Sequence, residues 1–252
     1  MTSEADAHTE QPSLEGKKAI VTGGTTGIGR AVAVLLASYG VKVFICGRNP
    51  QHLEDALRRI NEVGVGDGIA IDLGQADNVQ RFVDAGLSYL GGLDIAIVNA
   101  AIPASGLTDM SEKDLRYAVA VDFTGYLLTA HAAAEALRDH GDIVLIGSMS
   151  AYALGAGTSV YAGMKYGIQG FSEALRKELA PKNIKVSLVE PGKTGADFQY
   201  PEIPAQEQRA MIEKDEMLRA EDIAVGVHYV LTQPRRAVVQ QLTIAPRQQP
   251  KE

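Results

Sequence analysis

Lys18-Ala19-Ile20-Val21-Thr22-Gly23-Gly24-Thr25-Thr26-Gly27-Ile28-Gly29 is the stretch that decides the fold. A short apolar run leads into a turn with four glycines in seven residues, and an amphipathic helical pattern, residues 28–39, follows at once. Where a strand turns straight into a helix over glycines, the backbone can approach a pyrophosphate that side chains would keep away. Free N–H groups and the positive end of the helix dipole then face the phosphates. Gly23, Gly27 and Gly29 supply the tight turn, the close approach and the close helix–sheet packing, and Thr25, Thr26 and Ile28 stand beside them on the same turn. A glycine cluster elsewhere would only mark a bend. After a first strand and before an amphipathic helix, it predicts dinucleotide binding.

Outward from this turn, short apolar runs alternate with helical patterns. The runs are 18–21, 41–46, 68–71, 93–98, 142–146, 184–189 and 238–244. Several are nearly unbroken Val, Ile and Leu, which suits strands buried on both faces of a mostly parallel sheet. Helical patterns cover 28–39, 51–63 and 77–90; the segment 111–140 is too long for one ordinary helix and is expected to bend or divide near Gly125. Val160, Met164, Ile168, Phe171, Leu175 and Leu179 keep a helical rhythm through 159–180, which Pro181 ends. This alternation predicts an α/β fold: one doubly wound, seven-stranded, mostly parallel sheet with helices on both faces, spanning 14–246. Residues 1–13 and 247–252 read as tails. The proline-rich stretch 191–217 reads as a substrate lid near the strand ends, with a variable surface loop as the alternative.

The bulk properties exclude several functions. A formal charge of −7 argues against a basic nucleic-acid surface. Five scattered histidines give no metal-ligand spacing, so no metal is expected. The single cysteine, Cys46, sits in an apolar run and reads as a buried structural thiol; it rules out an intramolecular disulfide. The polar start and the lack of a long apolar run predict a cytoplasmic protein with no membrane contact.

Two strand tips and one helix carry the chemistry. The second run ends Cys46-Gly47-Arg48-Asn49. An acidic residue there would bind the adenosine ribose; Arg48 can instead grip a 2′-phosphate and stack on adenine. This favours NADP(H) over NAD(H), against the alternative of a solvated surface arginine. Asp72, after the third run, can reach the adenine edge. Tyr161 and Lys165 are four residues apart at the start of a helix, on one face. A nearby ammonium favours phenolate, so the pair predicts a phenol tuned downward for proton exchange. Ser148 ends the fifth run and can donate to a substrate oxygen, with Ser150 as the nearby alternative.

On these residues the chain resembles the short-chain dehydrogenase/reductase family in its compact form of about 250 residues. The resemblance runs through Thr22-Gly23-x-x-x-Gly27-x-Gly29, Asp72-Leu73, Asn99-Ala100-Ala101, Ser148, Tyr161-x-x-x-Lys165 and Pro191-Gly192, in that order. It implies that Asn99 steadies the central sheet beside the cofactor, and that Lys165 binds the nicotinamide ribose as well as tuning Tyr161. It also implies that Pro191 and Gly192 line the nicotinamide pocket. Leu73, Ala100, Ala101 and Thr194 are taken with them as cofactor-binding positions. The resemblance further suggests a homo-oligomer, tetramer or dimer.

The sequence departs from that family at two places. Ala101 stands where the family usually has Gly. Asp122, in Val121-Asp122-Phe123-Thr124-Gly125, stands where many members carry an Asn that anchors a water chain to the lysine. An ionised Asp122 could serve that relay while opposing phenolate at Tyr161; the alternative is a carboxylate outside the relay. The reading is an NADP(H)-dependent oxidoreductase acting on a small carbonyl or alcohol. Ser148, Tyr161, Lys165 and Asp122 would be its catalytic group. A non-catalytic dinucleotide sensor and a redox-neutral isomerase or dehydratase are the alternatives. Asp197, Phe198 and Tyr200 are expected to face the substrate.

Overall fold

The computed structural model describes residues 11–137, 140–152, 154–195, 200 and 203–248. The first half alternates β1 (Lys18–Val21), α1 (Gly27–Ser38), β2 (Lys42–Gly47), α2 (Pro50–Val63), β3 (Val65–Ala70), α3 (Ala76–Leu90) and β4 (Ile95–Val98). Then come α4 (Glu112–Val119), a π-turn (Ala120–Thr124), α5 (Gly125–Ala136), β5 (Gly141–Ile146), α6 (Ser159–Leu179) and β6 (Ile184–Pro191). The chain closes with β7 (Thr194–Gly195), α7 (Ala205–Glu213), β8 (Leu218–Arg219), α8 (Ala220–Leu231) and β9 (Gln241–Ile244).

Seven strands form one sheet in the order β3-β2-β1-β4-β5-β6-β9, and β7 pairs with β8 in a two-stranded ribbon. Every pairing is parallel. The direction of winding reverses between β1 and β4, which opens a crevice at their C-terminal ends. Alternate strand residues feed two cores. Ile20, Phe44 and Ala96 face Phe82, Tyr126 and Ile168 from α3, α5 and α6. Val21, Val43 and Ile45 face Val32, Leu36, Ile60 and Val227 from α1, α2 and α8. Each such large side chain, fully buried, contributes roughly 1.5–3 kcal/mol. Cys46 lies in the first core, and burial pushes its thiol up to about 12, as an inert structural thiol requires.

Three boundaries differ from the sequence reading. β3 begins at Val65, pairing with Lys42, not at Gly68. Its Val65-Gly66-Asp67-Gly68 run has poor strand propensity, but Gly66 is needed: a Cβ there would lie 2.6 Å from Ile60 and 2.8 Å from Val43. β9 pairs only from Gln241, opposite Leu188, after a turn in which Ala237 N–H donates to Pro234 O at 2.8 Å. Arg247 and Gln248, expected in the tail, are tied to Asp215: Arg247 Nε lies 3.1 Å from its carboxylate, and Gln248 N–H donates to its carbonyl at 2.9 Å. The segment 111–140 departs from regular α-helix near Gly125, at the π-turn, while its backbone stays helical through both junctions.

At the N-terminal end of the sheet, remote from the crevice, Asp142 at the start of β5 joins two cations. It lies 3.3 Å from Lys185 of β6 and 2.9 Å from Arg235 of the approach to β9. Burial raises the Asp142 carboxyl pKa, with both cations acting against that rise. Among the described residues, no helix is long and apolar enough to cross a membrane.

Candidate active site

The glycine turn leaves the sheet at the β1/β4 boundary. Gly23 and Gly27 have φ of +64° and +51°, a region that strains residues bearing a Cβ. A Cβ on Gly29 would stand 2.2 Å from the Gly23 carbonyl oxygen and 2.5 Å from Asn99 Nδ2. α1 therefore reaches the sheet only because that side chain is missing. Thr25, Ile28 and Gly29 are buried beneath the turn, and Thr26 is half-buried at its mouth. Gly47 makes room for Thr25, since a Cβ at 47 would lie 2.2 Å from its hydroxyl. Thr26 gives α1 no side-chain cap, and its first turn holds no acidic residue. The first amides of α1 thus keep their donors and dipole free of competing carboxylate, a cradle that fits the pyrophosphate of a dinucleotide.

Asn99 secures the crevice floor. Its N–H donates to Thr22 Oγ1 at 2.8 Å, and its Nδ2 donates to Thr22 O at 3.0 Å and Gly23 O at 3.3 Å. Ala100 N–H joins the same hydroxyl at 3.1 Å, while Ala101 is exposed. Leu73 is packed into the α5-side core. On the far rim, Gly192 N–H donates to Ile244 O at 2.7 Å, and buried Thr194 donates to Gly192 O at 2.9 Å, which fixes Pro191 and Gly192 beside β9.

Beyond β2, Arg48 Nη1 donates to Tyr117 Oη at 2.7 Å. Tyr117 Oη is 3.0 and 3.1 Å from the two Asp72 oxygens, and Gly74 N–H donates to Asp72 Oδ1 at 2.9 Å. The Asp72 carboxylate expected to reach outward is therefore engaged by Tyr117 of α4.

The strand end of β5 and the first turns of α6 bring Ser148, Tyr161 and Lys165 together. The Ser148 hydroxyl acts on the Tyr161 phenol and accepts from Ser150 N–H at 3.1 Å, so Ser148, rather than Ser150, is the serine that influences the tyrosine. Lys165 Nζ lies 5.6 Å from the Tyr161 ring centre. The expected lowering of the Tyr161 pKa is not what the structure gives. Burial raises it, with the negative charge of Asp122 adding to the rise and the Ser148 hydroxyl opposing it. The ammonium is held elsewhere: Lys165 Nζ donates to Tyr126 Oη and to Ile146 O, each at 3.1 Å. Burial lowers Lys165 itself to about 8, against the pull of Asp122.

Asp122 lies in the π-turn with 0% of its surface exposed. One oxygen accepts from Ile102 N–H at 2.8 Å; the other has no partner among the described residues. Burial raises its carboxyl to about 6, eased by Lys165, the Ile102 amide and Arg48. Asp122 thus acts electrostatically on Lys165, Tyr161 and Tyr126. Asp197 and Phe198 lie outside the described residues; Tyr200 is half-buried and adds to the rise at Tyr161.

Sequence reasoning missed Tyr117 and Tyr126. Tyr126 had a signal: it is a lone polar aromatic in an Ala- and Leu-rich helix, four residues after Asp122.

A parallel doubly wound sheet, a glycine cradle at its switch point and a Ser–Tyr–Lys group beside it define a nucleotide-binding oxidoreductase architecture. The chain belongs to the short-chain dehydrogenase family, whose sequence profile matches residues 17–207. An uncharacterized oxidoreductase of Staphylococcus aureus is 29% identical over 236 residues, covering 92% of this chain and 98% of the relative. A short-chain dehydrogenase from Burkholderia cenocepacia, crystallised with NADP, is 32% identical with a TM-score of 0.84, covering 93% of this chain and 98% of that one. A short-chain dehydrogenase from Mycobacterium paratuberculosis, bound to NAD, shares the fold at TM-score 0.81 and 24% identity, covering 93% of this chain and 98% of its own.

Proposed function

We propose that this oxidoreductase interconverts a small ketone or aldehyde with its alcohol, using NADP(H), with Tyr161 as the proton donor and acceptor. The observation that carries the reading is the convergence of Ser148, Tyr161 and Lys165 at the strand ends beside the glycine cradle. The bound nicotinamide supplies the hydride chemistry. Ser148 holds the substrate oxygen, Tyr161 gives it a proton, and Lys165 supports the phenol. Because burial and Asp122 keep the resting phenol protonated, Tyr161 is poised at neutral pH to give a proton, which favours carbonyl reduction. Alcohol oxidation, which needs the phenolate, gains with rising pH. Asp122 joins the group as the charge that balances Lys165, at the cost of opposing phenolate.

NADP(H) is assigned on Arg48, which stands at the β2 tip in place of an acidic residue; the NADP complex of the Burkholderia relative is in keeping with this. A homo-oligomer in the cytoplasm completes the reading.

The test is NADPH oxidation over a panel of ketones, aldehydes and keto esters, with Tyr161→Phe as the blank. Turnover should fall at least about a hundredfold in the variant, the range of a lost acid–base group. NADPH binding without turnover on the whole panel would favour the sensor instead. Arg48→Ala should raise the NADPH KM about tenfold or more, the scale of a lost charged hydrogen bond, and raise the NADH KM far less, since NADH loses only the stacking on adenine. Equal efficiency of the native enzyme with both cofactors defeats the NADP(H) assignment.

A further inference from the structure

The nitrogen of Lys165 does not rest on Tyr161. It is gripped from behind by a second tyrosine, on a different helix. Lys165 is 2% exposed, and two of its three N–H bonds are committed, one to Tyr126 Oη and one to Ile146 O, each at 3.1 Å. Tyr126 is 1% exposed, and its own proton goes to the same carbonyl at 2.9 Å. With its proton spent on Ile146 O, the phenol offers Lys165 only a lone pair, so the lysine must be the donor. The three groups close a ring linking α5, α6 and the end of β5 two residues before Ser148. The third N–H of Lys165 has no acceptor among the described residues, and the nitrogen lies 5.6 Å from the Tyr161 ring centre.

We propose that Tyr126 is a positioning residue that fixes Lys165 in the crevice and sustains its ammonium through a neutral acceptor. The proposal rests on the reading of Lys165 as support for Tyr161, and deepens it. A buried ammonium needs acceptors, and a mobile one would wander between the crevice and the core. Tyr126 meets both needs without adding a charge, because burial, Asp122 and Tyr161 together hold its phenol far above the ordinary range and so keep it protonated. Asp122 from the π-turn supplies the opposing charge, and Ile146 O supplies the second acceptor. Tyr161 stands in front on α6, itself acted on by Ser148, Asp122 and Tyr200, while Arg48 acts on Asp122.

The experiment is an NMR titration of the unliganded protein carrying [ε-13C]lysine, with the Lys165 signal assigned by its loss in Lys165→Arg. In Tyr126→Phe, which keeps the packed ring, the Lys165 midpoint should fall by about one pH unit, the scale of a hydrogen bond to a charged group. An unmoved midpoint in the folded variant overturns the proposal. Should Tyr126→Phe not fold, replacement of Tyr126 by 3-fluorotyrosine keeps ring and proton but weakens the acceptor. A smaller fall in the same direction supports the proposal, and no shift overturns it. Because the titration needs no substrate, failure of the carbonyl panel would not be mistaken for failure here.

Discussion

Asp122 brings a carboxylate into a buried chamber with a single hydrogen bond, from Ile102 N–H, and one oxygen unmet among the described residues. Its folded pKa of about 6 stands above the ordinary 3.8, so the folded protein binds that proton more tightly than the unfolded chain. The resulting instability is absent below about pH 4, grows between 4 and 6, and is complete above. Asp122→Asn should therefore raise thermal stability at pH 8, by about 1–3 kcal/mol, and the gain should shrink toward pH 4. The lower figure reflects the counter-charge Lys165 would lose. Calorimetry at the two pH values checks the sign; an equal gain at both would refute a charge-based cost. The same variant should move the alkaline rise of alcohol oxidation to lower pH, and an unchanged pH–rate profile would remove Asp122 from the mechanism.

At the scale of elements, the glycines divide into those the packing needs and those it tolerates. Gly29→Ala drives a Cβ against the Gly23 carbonyl at 2.2 Å. It should cost about 1–3 kcal/mol in urea unfolding and abolish NADPH binding measured by fluorescence, since α1 must lift off the sheet. Gly170, in α6, has nothing within 4 Å of where its Cβ would be; Gly170→Ala should stabilise by up to about 1 kcal/mol. Most of the elements were legible in the sequence, because the strand–glycine–helix turn and the apolar stretches of β1, β2, β4 and β5 leave a parallel sheet little alternative. Edge strand β3 was misjudged at its start, where glycines break the β pattern yet admit Ile60 and Val43. The Ser148, Tyr161 and Lys165 group was read from the i, i+4 spacing of the pair together with the place of Ser148 at a strand end, since a Tyr-x-x-x-Lys pair by itself is common. The direction of the Tyr161 shift was not legible, because it depends first on how deeply the phenol is buried and then on the charge of Asp122 beside it, and no spacing rule reveals burial.

Across the whole molecule, the end of the sheet away from the crevice carries a structural charge cluster. Asp142→Ala would take the counter-charge from Lys185 of β6, which is only 8% exposed and would keep the Gln233 carbonyl as its acceptor. Removing one partner of a buried ion pair costs about 3–5 kcal/mol, so the urea midpoint should drop substantially while the NADPH KM stays as it was. A changed KM would mean that this end is coupled to the crevice. The π-turn between α4 and α5 ties the two ends of the crevice itself together. Tyr117 and Tyr126 are nine residues apart, a separation that leaves side chains about 180° apart around an unbroken α-helix. The wide turn absorbs one residue and brings that angle to roughly 80°, so one continuous rod can present a tyrosine to Arg48 and another to Lys165. Regularising the wide turn to α-helical pitch without changing the chain length would return the two tyrosines to opposite sides of the rod, so that it could face Arg48 or Lys165 with a tyrosine, but not both.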